Sequence, residues 1–300
     1  HKPMADETSG ILIVDKPQDM TSAGVVRRIK RLSSIRKSGH TGTLDPMGTG
    51  VMICTINRAT RLSRFFLESP KKYTAVLRIG VETDTLDATG NVLATRPVDK
   101  ISEQAVFDTV NGFEGEIEQR PPAYSALKHK GVPLYKYARK GAPVVKPPRK
   151  VVISSIKIID MDLPDIRFEV TCSSGTYIRT LCADIGEKLG CGGHLWQLRR
   201  TASCGFVIDD AFELLAVEEL QQTRRDRDRR TRRITPGRER VGGVVVDHEH
   251  PRRRHPCTDR HRLGHVDEVA LLLAAGATGS GACRTGRAAQ AAAAAGGARR

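Results

Sequence analysis

The chain is poor in aromatic residues, which make up 4% of its 300 positions. It also has no long apolar run. None approaches the roughly 20 residues a membrane-spanning helix needs, and the mean hydropathy is -0.34. The opening HKPMADETSG lacks the apolar stretch of a secretory signal, and Met4 is a candidate natural start. These absences predict a soluble protein of the cytoplasm with no membrane partner. The cysteines, at positions 54, 172, 182, 191, 204, 257 and 283, are odd in number and form no CxxC pair. A disulfide framework and a Cys-rich zinc site are thereby disfavoured, and a reducing compartment fits. Also missing are GxxxxGKS/T and a strand-linked GxGxxG, so nothing indicates a nucleotide or nicotinamide cofactor.

What the sequence has in excess is positive charge, +15 overall, which suggests a polyanionic partner. The excess is uneven. Residues 223–300 hold 18 Arg, no Lys and 8 carboxylates, against 31 basic and 26 acidic residues before them. The same segment has no Phe, Tyr or Trp and a single Ile, so a core is hard to build there. Its runs DRDRRTRR and AAQAAAAAGGARR are low in complexity, and only Val269 to Leu273 resembles packed structure. Residues 223–300 are expected to be a mostly disordered tail or an out-of-frame product of a GC-rich gene. Residues 1–9 are expected to be flexible and 10–222 to form the folded domain. Within the tail, Cys257, His261 and His265 fall at i, i+4 and i+8 and would share a face if helical. The surrounding arginines repel cations and no helix signal supports the spacing, so no metal is expected.

Between residues 10 and 222, helix and strand patterns interleave. Gly10 to Asp15 reads as a buried strand. Thr21 or Ser22 can cap a helix carrying Val25, Val26, Ile29 and Leu32 on one face. Ser38 to Gly50 holds four Gly and a Pro and is expected to be loop. A short helix with Ala59, Leu62, Phe65 and Phe66 inward should follow. Tyr73 to Ile79 alternates as a strand, Ser102 starts a helix ending at Asn111-Gly112, and Val151 to Asp160 and Ile166 to Cys172 read as strands. Ile178, Leu181, Cys182, Ile185 and Leu189 keep the helical period. Without a regular βαβ rhythm, the pattern predicts an α+β fold.

Taken alone, the loop from His40 to Pro46 would be a turn in which glycines permit positive φ and Asp45 bonds its own backbone. Other segments give it more weight. GHTGTLDPMGTGVM at 39–52 closely resembles the catalytic motif of TruB-type pseudouridine synthases, a family that includes the Cbf5/dyskerin branch. ILIVDKPQDMTS at 11–22, KKYTAVLRIGVETDTLDATG at 71–90, RPPAYSALKHKGVPLYKYARKG at 120–141 and CSSGTYIRTLCADIGEKLGCGGHLWQLRR at 172–200 resemble its other segments, in the family's order. Three positions depart from the usual pattern: Asp19 for a common Gly, Gly48 for Ala, and Asn57-Arg58 for Gly-x. The tail resembles nothing in the family's PUA-like C-terminal region.

The resemblance implies a mixed, largely antiparallel sheet flanked by helices and loops, crossed by a basic cleft. It implies isomerisation of uridine to pseudouridine in the T-loop of tRNA, at position 55, by a monomeric enzyme without cofactor. The alternative is an RNA-binding protein or tRNA chaperone in which catalysis is secondary. A carboxylate-pair glycosidase also acts at an anomeric carbon, but no second carboxylate of comparable setting is evident. By resemblance Asp45 is the catalytic carboxylate and Arg179 the arginine that pairs with it. Such pairing would lower the Asp45 pKa and fix its rotamer. Tyr73, the third catalytic residue, stacks on the flipped base and offers its phenolic group for the C5 proton, Leu198 walls the pocket, and His40 fills the space the base leaves. Tyr177 and Lys16 complete the substrate-binding set, with Lys16, beside Pro17, expected to support the loop rather than react. Lys71, Lys72, Lys128, Lys130, Lys136, Arg139, Lys140 and Arg149 would line the phosphate path.

Overall fold

In the computed structural model, which describes residues 9–32, 35–219 and 223, the first apolar run forms β1 (Gly10–Lys16). Thr21 caps the following helix, its Oγ1 accepting from the Gly24 N–H at 3.0 Å. Helix α1 (Ser22–Leu32) buries Val25 and Ile29 on the predicted face. Strands β2 (Ser38–His40) and β3 (Thr49–Ile56) flank the Gly-rich stretch, so the loop expected over 38–50 shrinks to residues 41–48. A 3-10 turn (Asn57–Leu62) leads into α2 (Ser63–Leu67). Here the expectation fails in part: Ala59 is buried, but Leu62 and Phe65 are 45% and 48% exposed. Three residues per turn cannot keep positions spaced for a 3.6 period on one face.

Strand β4 (Lys71–Ile79) buries Tyr73, Ala75, Leu77 and Ile79, as its alternation predicts. The hairpin of β5 (Val81–Thr83) and β6 (Val92–Thr95) follows, and then α3 (Glu103–Asn111), capped by the Ser102 hydroxyl. After β7 (Gly115–Gln119), the basic segment holds β8 (Lys128–His129), β9 (Val132–Pro133) and α4 (Leu134–Ala138). The chain closes with β10 (Arg149–Asp162), β11 (Asp165–Cys172), α5 (Ile178–Lys188), β12 (Gly193–Ser203), β13 (Phe206–Val207) and β14 (Phe212–Glu213). Residues 1–8 and 224–300 lie outside the described residues, and with them the Cys257, His261 and His265 triplet and the Val269 to Leu273 stretch.

Ten strands share one sheet, ordered β14-β1-β3-β12-β4-β11-β10-β7, with β2 beside β3 and β13 beside β12. All pairs are antiparallel except β1 with β14 and β3 with β12, and the α+β, largely antiparallel expectation holds. Helices α3 and α5 lay Val106, Val110, Leu181 and Ile185 against Leu77, Ile153, Phe168 and Leu195 in the main core. Helix α1 packs a second core on β1 and β3 through Val25 and Ile29.

The parallel contact of β3 with β12, Thr49 opposite Arg199 and Gly50 opposite Arg200, joins the N-terminal strands to the rest of the sheet. Gly50 has φ +105°, and a Cβ there would sit 2.2 Å from the Arg200 carbonyl oxygen and 2.8 Å from its nitrogen. Both terms exclude a side chain. Gly50→Ala should therefore cost at least about 2 kcal/mol of stability. A thermal unfolding midpoint equal to that of the wild type would contradict the close approach.

Candidate active site

The loop of residues 41–48 is held from beneath by buried side chains. The Ser22 Oγ accepts from the Leu44 N–H at 2.8 Å and donates to the Leu44 carbonyl at 3.0 Å. Lys16, fully buried, donates its three ammonium hydrogens to the carbonyls of Pro17, Met20 and Pro46 at 2.9, 2.6 and 3.1 Å. Its donors leave nothing for a ligand, so Lys16 lies under the loop rather than among substrate contacts. Burial lowers its pKa to about 8, against the opposing pull of Asp45 and Asp19. From β12, the buried Arg200 donates through Nε to the Val51 carbonyl at 2.6 Å and through an NH2 group to Gly42 at 3.2 Å. Asp19 takes the left-handed conformation (φ 60°) that its glycine-like place requires, and its N–H donates to the Pro46 carbonyl at 2.9 Å.

These supports present Asp45 to Arg179, in the first turn of α5. The guanidinium donates to Asp45 Oδ1 at 3.2 Å. Its Nε lies 2.8 Å from Oδ2 but has no hydrogen-bond partner, which makes this second contact an ion pair only. The Nη2 that reaches Asp45 also donates to the Tyr124 carbonyl at 2.8 Å, while Nη1 donates to the Thr85 carbonyl at 2.9 Å and lies 3.6 Å from Asp87 Oδ2. Arg179 is 3% exposed, so a buried cation is shared by two carboxylates and two carbonyls. Sequence reasoning did not single out Asp87, one of three carboxylates in VETDTLD. It is buried, and its carboxylate accepts from the Thr85 hydroxyl at 2.7 Å and from the Thr89 hydroxyl and N–H at 2.6 and 3.0 Å.

The net shift of Asp45 runs opposite to the one pairing alone predicts. Burial raises its pKa, and Asp87 adds to the rise, while Arg179 and Lys16 pull it down without overcoming burial. Burial likewise raises the Tyr73 phenol, so its hydroxyl stays protonated in neutral solution.

Above Asp45 opens a cavity of about 380 Å³ whose wall includes Tyr73, Tyr177, Arg179, Leu198, Lys71 and Arg149. Tyr177 precedes α5, and the buried Gln119 grips its backbone, accepting from the N–H at 2.7 Å and donating to the carbonyl at 3.0 Å. The Arg149 guanidinium lies 5.1 Å from the Tyr177 ring centroid and donates to the Gly175 carbonyl. Lys71 turns its ammonium to the carbonyls of Leu67 and Ser69.

The other expected residues lie elsewhere. His40 pairs opposite Cys54 and does not line the cavity; its buried Nδ1 has no partner, and burial lowers the pKa of the ring. Lys72, on the opposite face of β4 from Lys71, pairs with Glu169 at 2.7 Å. Lys128, Lys130, Lys136, Arg139 and Lys140 are exposed on the β8–β9 hairpin and around α4, next in sequence to the cavity residues Ser125 to Leu127.

A family model for the TruB family pseudouridylate synthase N-terminal domain matches residues 30–178. One for the tRNA pseudouridylate synthase B C-terminal domain matches residues 179–240, running past Gln222, the expected end of the folded domain. The tRNA pseudouridine synthase B of Syntrophotalea carbinolica is 49% identical over 210 residues, covering 70% of this chain and 69% of that protein. Its counterpart from Clostridium tetani is 46% identical over 211 residues, covering 70% and 73%. A chain from a crystallised Cbf5-Nop10-Gar1 complex superposes with a TM-score of 0.58 at 30% identity. That match covers 74% of this chain but only 57% of the other, so the chain spans less than two thirds of that solved relative.

Proposed function

The chain belongs to the TruB family of pseudouridylate synthases, and from that premise we propose that it isomerises uridine to pseudouridine in tRNA, at position 55 of the T-loop. The observation that carries this reading is the Asp45 carboxylate, clamped by buried Arg179 at a cavity walled by Tyr73, Tyr177 and Leu198. A protein that only bound RNA would gain nothing from a carboxylate facing an anionic ligand. The reaction breaks the N1–C1′ bond, turns the base and rejoins it through C5. It is redox-neutral and moves no phosphoryl group, so this chain's own residues suffice.

The uridine must leave its stack to bring its base and sugar into the cavity beside Asp45. Tyr73 and Leu198 then pack the base, and Asp45 stands as the ionised group at the reacting sugar. Because burial keeps the Tyr73 phenol protonated, its part is stacking and a neutral hydroxyl rather than a phenolate base. The exposed lysines and Arg139 between Lys128 and Lys140 receive the RNA backbone, and the 18 arginines after residue 222 add attraction that weakens with salt. The same reading makes the protein a monomer of the cytoplasm, where tRNA is found.

The direct test uses tRNA transcripts carrying 5-tritiated uridine. Joining C5 to C1′ expels the C5 hydrogen, so turnover releases tritium, and primer-extension mapping locates the modified position. A tRNA that releases no tritium would refute the reading.

A pH dependence follows from the raised Asp45 pKa. The active form is the carboxylate, and it is lost as pH falls through a value above the ordinary 3.8. The acid limb of the single-turnover rate should therefore lie above that value. For stability the sign is opposite: the folded-state pKa exceeds the unfolded one, so the contribution is full below about 3.8 and lost as pH rises through the folded value. A rate that holds constant down to pH 3.8 would show that burial does not dominate at Asp45.

A further inference from the structure

Among the described residues that wall the cavity, one has a buried hydroxyl without a hydrogen-bond partner. Ser173 Oγ accepts from the Val152 N–H at 3.0 Å, and Thr176 Oγ1 donates to the Ser173 carbonyl at 2.9 Å. Ser125 differs: it is 4% exposed, it lines the cavity, and its Oγ has no hydrogen-bond partner. Its backbone is pinned on three sides. The Tyr124 carbonyl accepts from Arg179 at 2.8 Å, the Ser125 carbonyl from the Tyr135 N–H at 3.1 Å, and the Leu127 carbonyl from the Leu134 N–H at 2.7 Å. A buried hydroxyl without a partner is destabilising, and one fixed this firmly at a binding cavity is completed by what binds there.

The chemistry of the proposed reaction, on which this inference rests, indicates the partner. When the N1–C1′ bond breaks, its electron pair leaves with the base, and the negative charge spreads from N1 onto the O2 and O4 carbonyl oxygens. As C5 bonds to C1′, C5 loses its hydrogen and N1 ends protonated, so the product is an isomer of the substrate. Between these events the base is held only by non-covalent contacts and must turn. We propose that the Ser125 hydroxyl donates a hydrogen bond to a carbonyl oxygen of the uracil and holds the base while it is detached. The bond strengthens as charge arrives on the oxygen, and that difference lowers the barrier. The neighbouring Tyr124 carbonyl is bonded to Arg179, which sets Ser125 beside the Asp45 end of the cavity, where the glycosidic bond must lie.

The test compares the full chain with its Ser125→Ala and Ser125→Cys variants, on tRNA transcripts carrying uridine, 2-thiouridine, 4-thiouridine or 2′-deoxyuridine at the target position. Ser125→Ala should slow single turnover by about 10- to 100-fold, with Kd for tRNA within about twofold. Cysteine, nearly isosteric and a weaker donor, should fall between, and it keeps the test valid should the alanine variant fold poorly. Sulfur is a poor acceptor, so one of the two thio substrates removes the same bond from the other side. It should slow the wild type yet add little to the alanine variant. An alanine variant that turns over at the wild-type rate overturns the proposal, as does full multiplication of its penalty with both thio substitutions. A penalty that disappears only with a 2′-deoxy substrate would also overturn it, by assigning the hydroxyl to the ribose. Wild-type protein that releases no tritium from any tRNA would instead refute the proposed function itself.

Discussion

Replacing Asp45 by Asn should lower single-turnover isomerisation by at least about 10,000-fold while leaving tRNA affinity within about threefold. The amide has the shape of the carboxylate, and its oxygen can still accept from Arg179, as Oδ1 does at 3.2 Å. What it lacks is the negative charge needed to attack the sugar or to draw a proton from it. Losses of this order accompany removal of a group that makes or orients a covalent step. The surroundings should survive, because Arg179 keeps the carbonyls of Thr85 and Tyr124 and stays near Asp87. Binding should survive as well, since on the proposed reading phosphate contacts on the exposed basic segment set affinity separately from the chemistry. Tritium release over a single turnover, with filter-binding affinities beside it, decides the matter. A variant within tenfold of the wild-type rate would remove Asp45 from the reaction. Lost binding at normal stability would make it an RNA contact instead.

The sequence made the outline of this site readable because its loop has few conformations open to it. Asp19 and Asn57, both standing where the family usually places glycine, adopt φ of 60° and 49°. Asn57 also spends its side-chain oxygen on the N–H groups of Arg36 and Lys37, each at 3.1 Å. Such positions are recognisable because few residues tolerate them. Strand β4 was legible for a different reason: one of its faces is buried along its length, so alternation survives in the sequence. Strand β12, central in the sheet, was not. Its register slips between Leu195 and Gln197 and again between Arg200 and Ala202, and each bulge resets the alternation. It also buries His194 and Arg200, residue types whose charge reads as surface. The same prior hid the role of Lys71, whose ammonium bonds backbone carbonyls rather than phosphate, whereas Lys16 supports the loop as its place beside Pro17 suggests. Asp87 and Gln119 act through partners distant in sequence, Arg179 and Tyr177, and carry no local signature.

Arg179→Lys should reduce single-turnover isomerisation by about 100- to 1,000-fold while shifting the thermal midpoint by only a few degrees. The substitution keeps the charge, so the two carboxylates retain a cation between them, and the larger penalty of leaving them unpaired in a buried site is avoided. What disappears is the planar fork. In the wild type one guanidinium reaches Asp45, the Thr85 and Tyr124 carbonyls, and the edge of Asp87 from fixed directions. An ammonium has three donors on a flexible stem and cannot hold four partners spread around a plane. Asp45 then keeps its charge but gains rotational freedom, and misplacement of about 1 Å at a reacting group costs on the order of 100-fold. The Tyr124 carbonyl also loses its donor, which loosens the wall carrying Ser125. The acid limb gives a second readout. A less closely held cation opposes the effect of burial on Asp45 less strongly, so the limb should move to higher pH in the lysine variant. A variant with wild-type rate and an unmoved acid limb would show that charge alone, not the guanidinium geometry, holds Asp45 in place.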